Sequence, residues 1–270
     1  MPGARLKREA PIGSARAPCS RTPRDFSNAG RRAVNAPAPF NPCLGGIERE
    51  QSIRQGALVE RYRPATWAEV VGQQKVVERL RQLARRGTLA GRAFFLTGQS
   101  GTGKTTIARL IAHEVAGEWD VEEMDAGALT AAGLRDLERN LSFRGMDPDK
   151  GGRAVVVNEA HGLRRDVIRA LLVALERIPP HVVWVFTSTV EGTESLFEDY
   201  DDASPLLSRC LRLDLARRDL AKAFAQRAKD IAEREGLDGR PLEQYVRLIQ
   251  KHRQNLRAAL QEIESGAMQD

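Results

Sequence analysis

Residues Gly98-Gln99-Ser100-Gly101-Thr102-Gly103-Lys104-Thr105 carry the spacing G-x-x-x-x-G-K-[ST]. Glycines at these positions let the backbone curl until successive N–H groups point at one spot, and converging N–H groups bind phosphate oxygens. From there Lys104 can reach the β and γ oxygens of a triphosphate and Thr105 can ligate Mg²⁺, while a helix that starts at the loop adds its partial positive charge. The chemistry is nucleoside triphosphate binding, with Gly98, Ser100, Gly101, Thr102, Gly103, Lys104, Thr105 and Thr106 as the contacting residues.

A bound triphosphate also needs a group to activate water. The apolar run Arg153-Ala154-Val155-Val156-Val157 reads as a central parallel strand, and Asn158-Glu159-Ala160-His161 follows it. Ligands of parallel sheets bind beyond the carboxyl ends of the strands, so these side chains are expected to face the phosphate loop. Glu159 is the candidate that orients and polarises the attacking water.

The elements that must hold these residues follow from hydrophobic periodicity. Val76, Val77, Leu80 and Leu83 predict a helix over 74–85, and Ala93-Phe94-Phe95-Leu96 predicts the strand that feeds the loop. The helix leaving the loop is read from Thr106. A second strand is predicted at 121–124, a helix at 132–141, a helix at 165–177 ended by Pro179-Pro180, and a strand at 181–186. Strand and helix alternate, which argues for a doubly wound parallel sheet. From Asp219 the pattern turns purely helical. Leu220, Phe224, Ala228 and Ile231 form a stripe stopped by Gly236, Pro241 opens a second helix with Leu242, Tyr245, Val246 and Ile249, and Leu256, Leu260 and Ile263 line a third.

Charge divides the chain unevenly. The net charge is +6, and residues 1–58 hold ten Lys/Arg against four Asp/Glu, so the excess lies in that segment alone. Seven of the thirteen prolines lie there too, with few large apolar residues, which predicts a disordered basic tail. The prolines disfavour an organellar transit helix, and no apolar secretory core is present. The three cysteines, Cys19, Cys43 and Cys210, have neither zinc-ligand nor disulfide-framework spacing, which favours a reducing cytoplasm. No apolar run is long enough to span a membrane.

Six stretches taken in order resemble the AAA+ ATPases, and among them the sliding-clamp loaders: the bacterial gamma/tau subunit and the small subunits of replication factor C. They are Arg61-Tyr62-Arg63-Pro64 with Val70-Val71-Gly72-Gln73, the phosphate loop, Glu123-Met124-Asp125-Ala126, Asn158 to Leu163, Ser208-Arg209-Cys210, and Asn255-Leu256-Arg257. The resemblance covers about residues 59–265. It implies a tail over 1–58, an AAA+ nucleotide-binding αβα domain over 59–213 and a small helical lid domain over 214–270. It also implies that Pro64, Val71 and Gly72 line an adenine pocket, and that Ser188 is a polar sensor near the γ-phosphate, with Thr187 or Thr189 in that role if the register slips. Arg257 resembles a lid arginine that touches the γ-phosphate. Arg209 resembles an arginine presented in trans to the ATP of a neighbouring subunit, a task suited to its permanent charge and planar fork.

The resemblance is broken in three places. The metal-side aspartate is replaced by Asn158, which can reach Mg²⁺ through a bound water but brings no charge; no cysteine lies between Val115 and Asp125, where the gamma/tau subunit carries a zinc module; and the sequence stops just after the lid, where clamp loaders continue into a helical collar. The expected activity is ATP hydrolysis with ATP and Mg²⁺, in a cytoplasmic, nucleoid-associated ring of AAA+ subunits that engages a sliding clamp and primer–template DNA. The alternatives are a nucleotide-binding regulator that hydrolyses poorly, and another AAA+ nucleic-acid remodeller of the branch-migration or helicase-loader type.

Overall fold

The structure is a computed structural model and describes residues 56–199, 203–216 and 219–269. The basic tail lies outside them except for its last three residues, of which Leu58 is buried; Cys19 and Cys43 also lie outside.

Five parallel strands form one sheet in the order β2-β3-β4-β1-β5: β1 is Arg92–Thr97, β2 Ala116–Asp125, β3 Gly152–Asn158, β4 Val182–Ser188 and β5 Cys210–Asp214. Between and around them lie α1 (Leu58–Arg61), α2 (Gln74–Arg85), α3 (Lys104–Val115), α4 (Ala131–Leu141), α5 (Arg165–Glu176), α6 (Val190–Asp199) and α7 (Ala203–Ser208). After β5 come α8 (Ala221–Glu235), α9 (Leu242–Lys251) and α10 (Leu256–Glu264). All connections among the strands are parallel crossovers, as the alternation of strand and helix in the sequence requires.

The central strands β1, β3 and β4 read as nearly continuous apolar runs because both faces of the sheet are covered there. Phe95, Val155, Val157, Trp184 and Phe186 point to one side, against Leu134 and Leu137 of α4 and Ile168 and Leu171 of α5. Phe94, Leu96, Ala154, Val156, Val183 and Val185 point to the other, against Leu80 of α2 and Ile107 and Ile111 of α3. Each large side chain taken wholly out of water here is worth about 1.5–3 kcal/mol, which is what fixes the register. A third apolar cluster joins α8, α9 and α10 through Phe224, Tyr245, Leu260 and Ile263, and Leu58 of α1 is buried in it. Gly236 ends α8 with φ 70°, a left-handed value that costs glycine little.

The observed elements differ from the sequence reading at four points. The helix after the phosphate loop starts at Lys104, two residues early, because Gly103 (φ 94°) already turns the chain into it. Strand β2 begins at Ala116 and is irregular between Ala116 and Val121, where the buried Asp120 accepts hydrogen bonds from the backbone of Met146 and Asp147 at 2.8 and 3.1 Å. That turned-in aspartate breaks the alternation on which a strand is recognised. Strand β5 was not expected, because half of its short sequence is polar; pairing with β1, which sets Phe95 opposite Arg212, makes it a strand. Helices α6 and α7 were likewise not expected.

Candidate functional site

The phosphate loop joins the carboxyl end of β1 to α3, at the point where the neighbours of β1 lead in opposite directions across the sheet. Gly101 (φ 78°) and Gly103 (φ 94°) take left-handed values, and a Cβ at Gly103 would meet nothing within 4 Å, so that turn faces open space. Lys104 is 7% exposed, and its Nζ donates to the carbonyls of Gly98 and Gln99 at 2.9 and 3.2 Å. Burial holds its pKa below the usual 10.5; the Glu159 carboxylate opposes that shift and the Arg257 guanidinium adds to it. The loop lysine, the β3 tip and the start of α10 therefore share one electrostatic neighbourhood.

At the end of β3 the backbone of Glu159 is left-handed, φ 51° and ψ 52°. For a residue with a Cβ this costs roughly 1–2 kcal/mol, and such strain gathers at functional positions. The Glu159 carboxylate is 54% exposed and lies 3.5 Å from His161 Nδ1. Of the three hydroxyls considered for a sensor, Thr187 reaches the β3 tip, with Oγ1 3.1 Å from Asn158 Oδ1 and 3.4 Å from the Glu159 backbone nitrogen. Ser188 is fully buried and 3.3 Å from His161 Nδ1, while Thr189 caps α6 by accepting from the Gly192 N–H at 3.0 Å.

A cleft of about 760 Å³, open to solvent, lies between the loop and the three-helix unit. Val59, Pro64, Val70, Val71, Phe224 and Leu260 give it an apolar wall, Arg63, Arg227 and Arg257 give it positive charge, and Gly101, Thr102, Gly103 and Thr106 close one end. An apolar-walled space beside a phosphate cradle suits a nucleoside base. Gly72, expected among the lining residues, instead makes room for α8: a Cβ there would lie 2.5 Å from Leu220 Cδ2. The sequence reading placed Phe224 in an apolar helix stripe and Asn255 in a stretch resembling the family, but gave neither of them, nor Arg227, a part in the site. Only the close approach of α8 and α10 to the loop makes them part of the site.

Arg209 stands elsewhere. Its guanidinium pairs with Glu176 of α5 and donates from Nη1 to the Pro205 carbonyl at 3.0 Å, and it does not line the cleft. Cys210 beside it is held by burial at a pKa of about 12, so it remains a protonated and unreactive thiol.

Among the described residues no cluster of three His, Cys, Asp or Glu side chains could hold a metal by itself. An ion of the Mg²⁺ type would therefore have to arrive on the phosphates, where the Thr105 hydroxyl would be available as a protein ligand and waters would fill the remaining positions. Among the described residues no helix is long and apolar enough to cross a membrane.

Comparison with known proteins agrees with this geometry. The family model for the ATPase family associated with various cellular activities (AAA) matches residues 94–213. The chain is 30% identical over 190 residues to DNA polymerase III subunit tau of Escherichia coli, covering 60% of this chain and 27% of that protein. It is also 30% identical over 187 residues to replication factor C small subunit 1 of Pyrobaculum arsenaticum, covering 66% of this chain and 52% of that one. The chain thus spans about a quarter to a half of the length of these relatives. Among solved structures, the Holliday junction branch migration motor RuvB of Thermotoga maritima superposes with a TM-score of 0.60 at 22% identity, over 75% of this chain and 64% of that one, a likeness of fold. Residues 94–213 are therefore an AAA domain, and the chain carries it on a P-loop NTPase fold.

Proposed function

We propose that this chain is an ATP-hydrolysing motor subunit that acts in DNA replication in the manner of a sliding-clamp loader. The observation that carries the reading is the single cleft that Gly101, Thr102, Gly103 and Thr106 of the phosphate loop line together with Pro64, Val71 and Arg257, which come from two other parts of the chain. In this reading the base enters the cleft beside Pro64, Val71 and Phe224, and the loop from Gly98 to Thr106 holds the phosphates. Thr105 ligates the accompanying Mg²⁺, Glu159 polarises the attacking water, and Thr187 or Ser188 senses the γ-phosphate. Arg257 ties the γ-phosphate to α10, so that the angle of the three-helix lid follows the state of the nucleotide. Arg209 serves the site of the next subunit in a ring, which closes around primer–template DNA and a clamp when ATP binds. Contacts to DNA are to its backbone, with little reading of sequence.

The relatives named for DNA polymerase III and replication factor C support this reading over a remodeller of another kind. The test is ATPase activity of the purified chain with and without primed DNA and a sliding clamp. Stimulation by both, abolished by Glu159→Gln, is the expected result. Nucleotide binding without turnover under every condition overturns the motor reading and leaves a nucleotide-binding regulator.

A further inference from the structure

Asn158 occupies the place where the resemblance predicts an aspartate, and both ends of its amide are hydrogen-bonded within the chain. Its Nδ2 donates to Glu123 Oε1 at 2.7 Å, and its Oδ1 accepts from the Thr187 hydroxyl at 3.1 Å. The direction of these bonds is set by what lies on either side. Thr187 Oγ1 accepts the backbone N–H of Glu159 at 3.4 Å, so its one hydrogen goes to the amide oxygen, and the amide NH₂ is left for the carboxylate. The other oxygen of Glu123 accepts Nε of Arg109 at 2.6 Å. Arg109 lies on α3, one turn beyond Thr105. A run of polarised bonds thus joins the strained backbone of Glu159 to the helix that leaves the phosphate loop.

At neutral pH an amide suits the middle of that run and an aspartate does not. The amide accepts on one side and donates on the other, whereas an ionised aspartate has no hydrogen to give and would set a second carboxylate where Nδ2 now meets Glu123. Asp125 is the cross-strand neighbour of Asn158 and Glu159 follows it, so the acidic surroundings are Glu123, Asp125 and Glu159, with Arg109 the facing cation. A fourth carboxylate here is disfavoured by its neighbours.

We propose that Asn158 is a positioning residue used for its amide: it locks the β3 tip, and with it Glu159, to α3 through Glu123 and Arg109, and an aspartate at this position impairs turnover. The inference rests on the ATPase reading for its kinetic arm alone.

The experiment compares the full chain with its Asn158→Asp, Glu123→Gln and double variants. Without nucleotide, Asn158→Asp lowers Tm at neutral pH by roughly 3–8 °C, and the loss shrinks on acidification as one shared proton restores a donor. In the double variant amide and carboxylate exchange places, and Tm returns toward wild type at neutral pH. In the ATPase assay Asn158→Asp lowers kcat by about 10- to 100-fold with little change in KM, and the double variant recovers much of it. A rise in kcat, or tighter Mg²⁺-dependent nucleotide binding, in Asn158→Asp would overturn the proposal, because position 158 would then be a metal-side position lacking its charge. An Asn158→Asp chain that melts as wild type at every pH would also overturn it. A wild-type chain without turnover counts against the ATPase reading only, and the nucleotide-free melting arm then decides whether the bridge exists.

Discussion

The side chain of Asn255 rests on the backbone of Gly101: a Cβ at Gly101 would lie 2.1 Å from Asn255 Oδ1 and 2.4 Å from its Cγ. The same oxygen caps α10 by accepting the Ala258 N–H at 3.2 Å. One glycine thus meets two demands, a left-handed turn in the phosphate loop and close approach by the N-cap of the helix that carries Arg257. Gly101→Ala is expected to cost about 1–3 kcal/mol of stability and to weaken binding of a non-hydrolysable ATP analogue at least tenfold. Asn255→Ala alone loses the cap, about 1 kcal/mol. Because it also removes the obstructing atoms, the double variant is less destabilised than the sum of the two. Urea unfolding of the four proteins measures that coupling, and simple additivity would refute the contact.

How much of this was legible in the sequence depends on how far each signal reaches along the chain. The phosphate loop and the β3 tip were legible because glycine spacing and a continuous apolar run are local. Helix α2 at Gln74–Arg85 matched its predicted span for the same reason. Strand β5 was not legible, because Cys210–Asp214 becomes a strand only by pairing with β1, more than a hundred residues earlier. Leu58 falls within the predicted basic tail, yet it is buried among the helices of the far end of the chain. The bond from Asn158 to Glu123 joins two strands and leaves no periodic trace in either. Departure of residue 158 from the family pattern was visible in the sequence, and its consequence only in the fold.

With Lys104 in the proposed phosphate-binding role, nucleotide binding is expected to be proton-linked. In the free chain burial holds its pKa below 10.5, and phosphate oxygens placed against Nζ would favour the charged form and raise it again. At alkaline pH below 10.5 binding is therefore expected to take up a proton, and affinity falls as pH rises through the lowered value. Calorimetry in two buffers of different ionisation enthalpy reads the uptake directly. Lys104→Met removes it and weakens binding by about 1.5–3 kcal/mol, the worth of a hydrogen bond to a charged group. Equal heats in both buffers for the wild-type chain would count against the role given to Lys104.

The three-helix unit carries its own acid sensitivity. Asp238 accepts Lys229 Nζ at 2.6 Å and the Tyr245 hydroxyl at 2.7 Å, and the bond from Lys229 chiefly holds its carboxyl below the usual 3.8. A depressed carboxylate pKa stabilises the fold above the unfolded value, and that contribution disappears as pH falls through the folded one. Thermal melts should therefore show a loss below about pH 4 that Asp238→Asn flattens. Tyr245 is fully buried, so Asp238→Ala, which orphans its hydroxyl, is expected to cost about 1–3 kcal/mol even at neutral pH.

Arg209 separates a site completed by a neighbour from one that is complete within the chain. Here it pairs with Glu176, whose carboxyl it holds below the usual range, and its buried Nε has no hydrogen-bond partner among the described residues. In the single chain Arg209→Ala should shift the melting temperature no more than an ordinary surface substitution and leave nucleotide affinity unchanged, because Arg209 does not line the cleft. In a ring of the kind proposed it would remove an arginine from the transferring phosphoryl group, an effect of about 10³–10⁵ in rate where such arginines act. Complementation gives the sharper readout. Arg209→Ala chains keep Glu159, and Glu159→Gln chains keep Arg209, so a mixed ring contains some sites with both groups intact. Activity of the mixture above the sum of the two inactive proteins is the expected result, and its absence under conditions where wild-type rings form would place Arg209 outside the reaction.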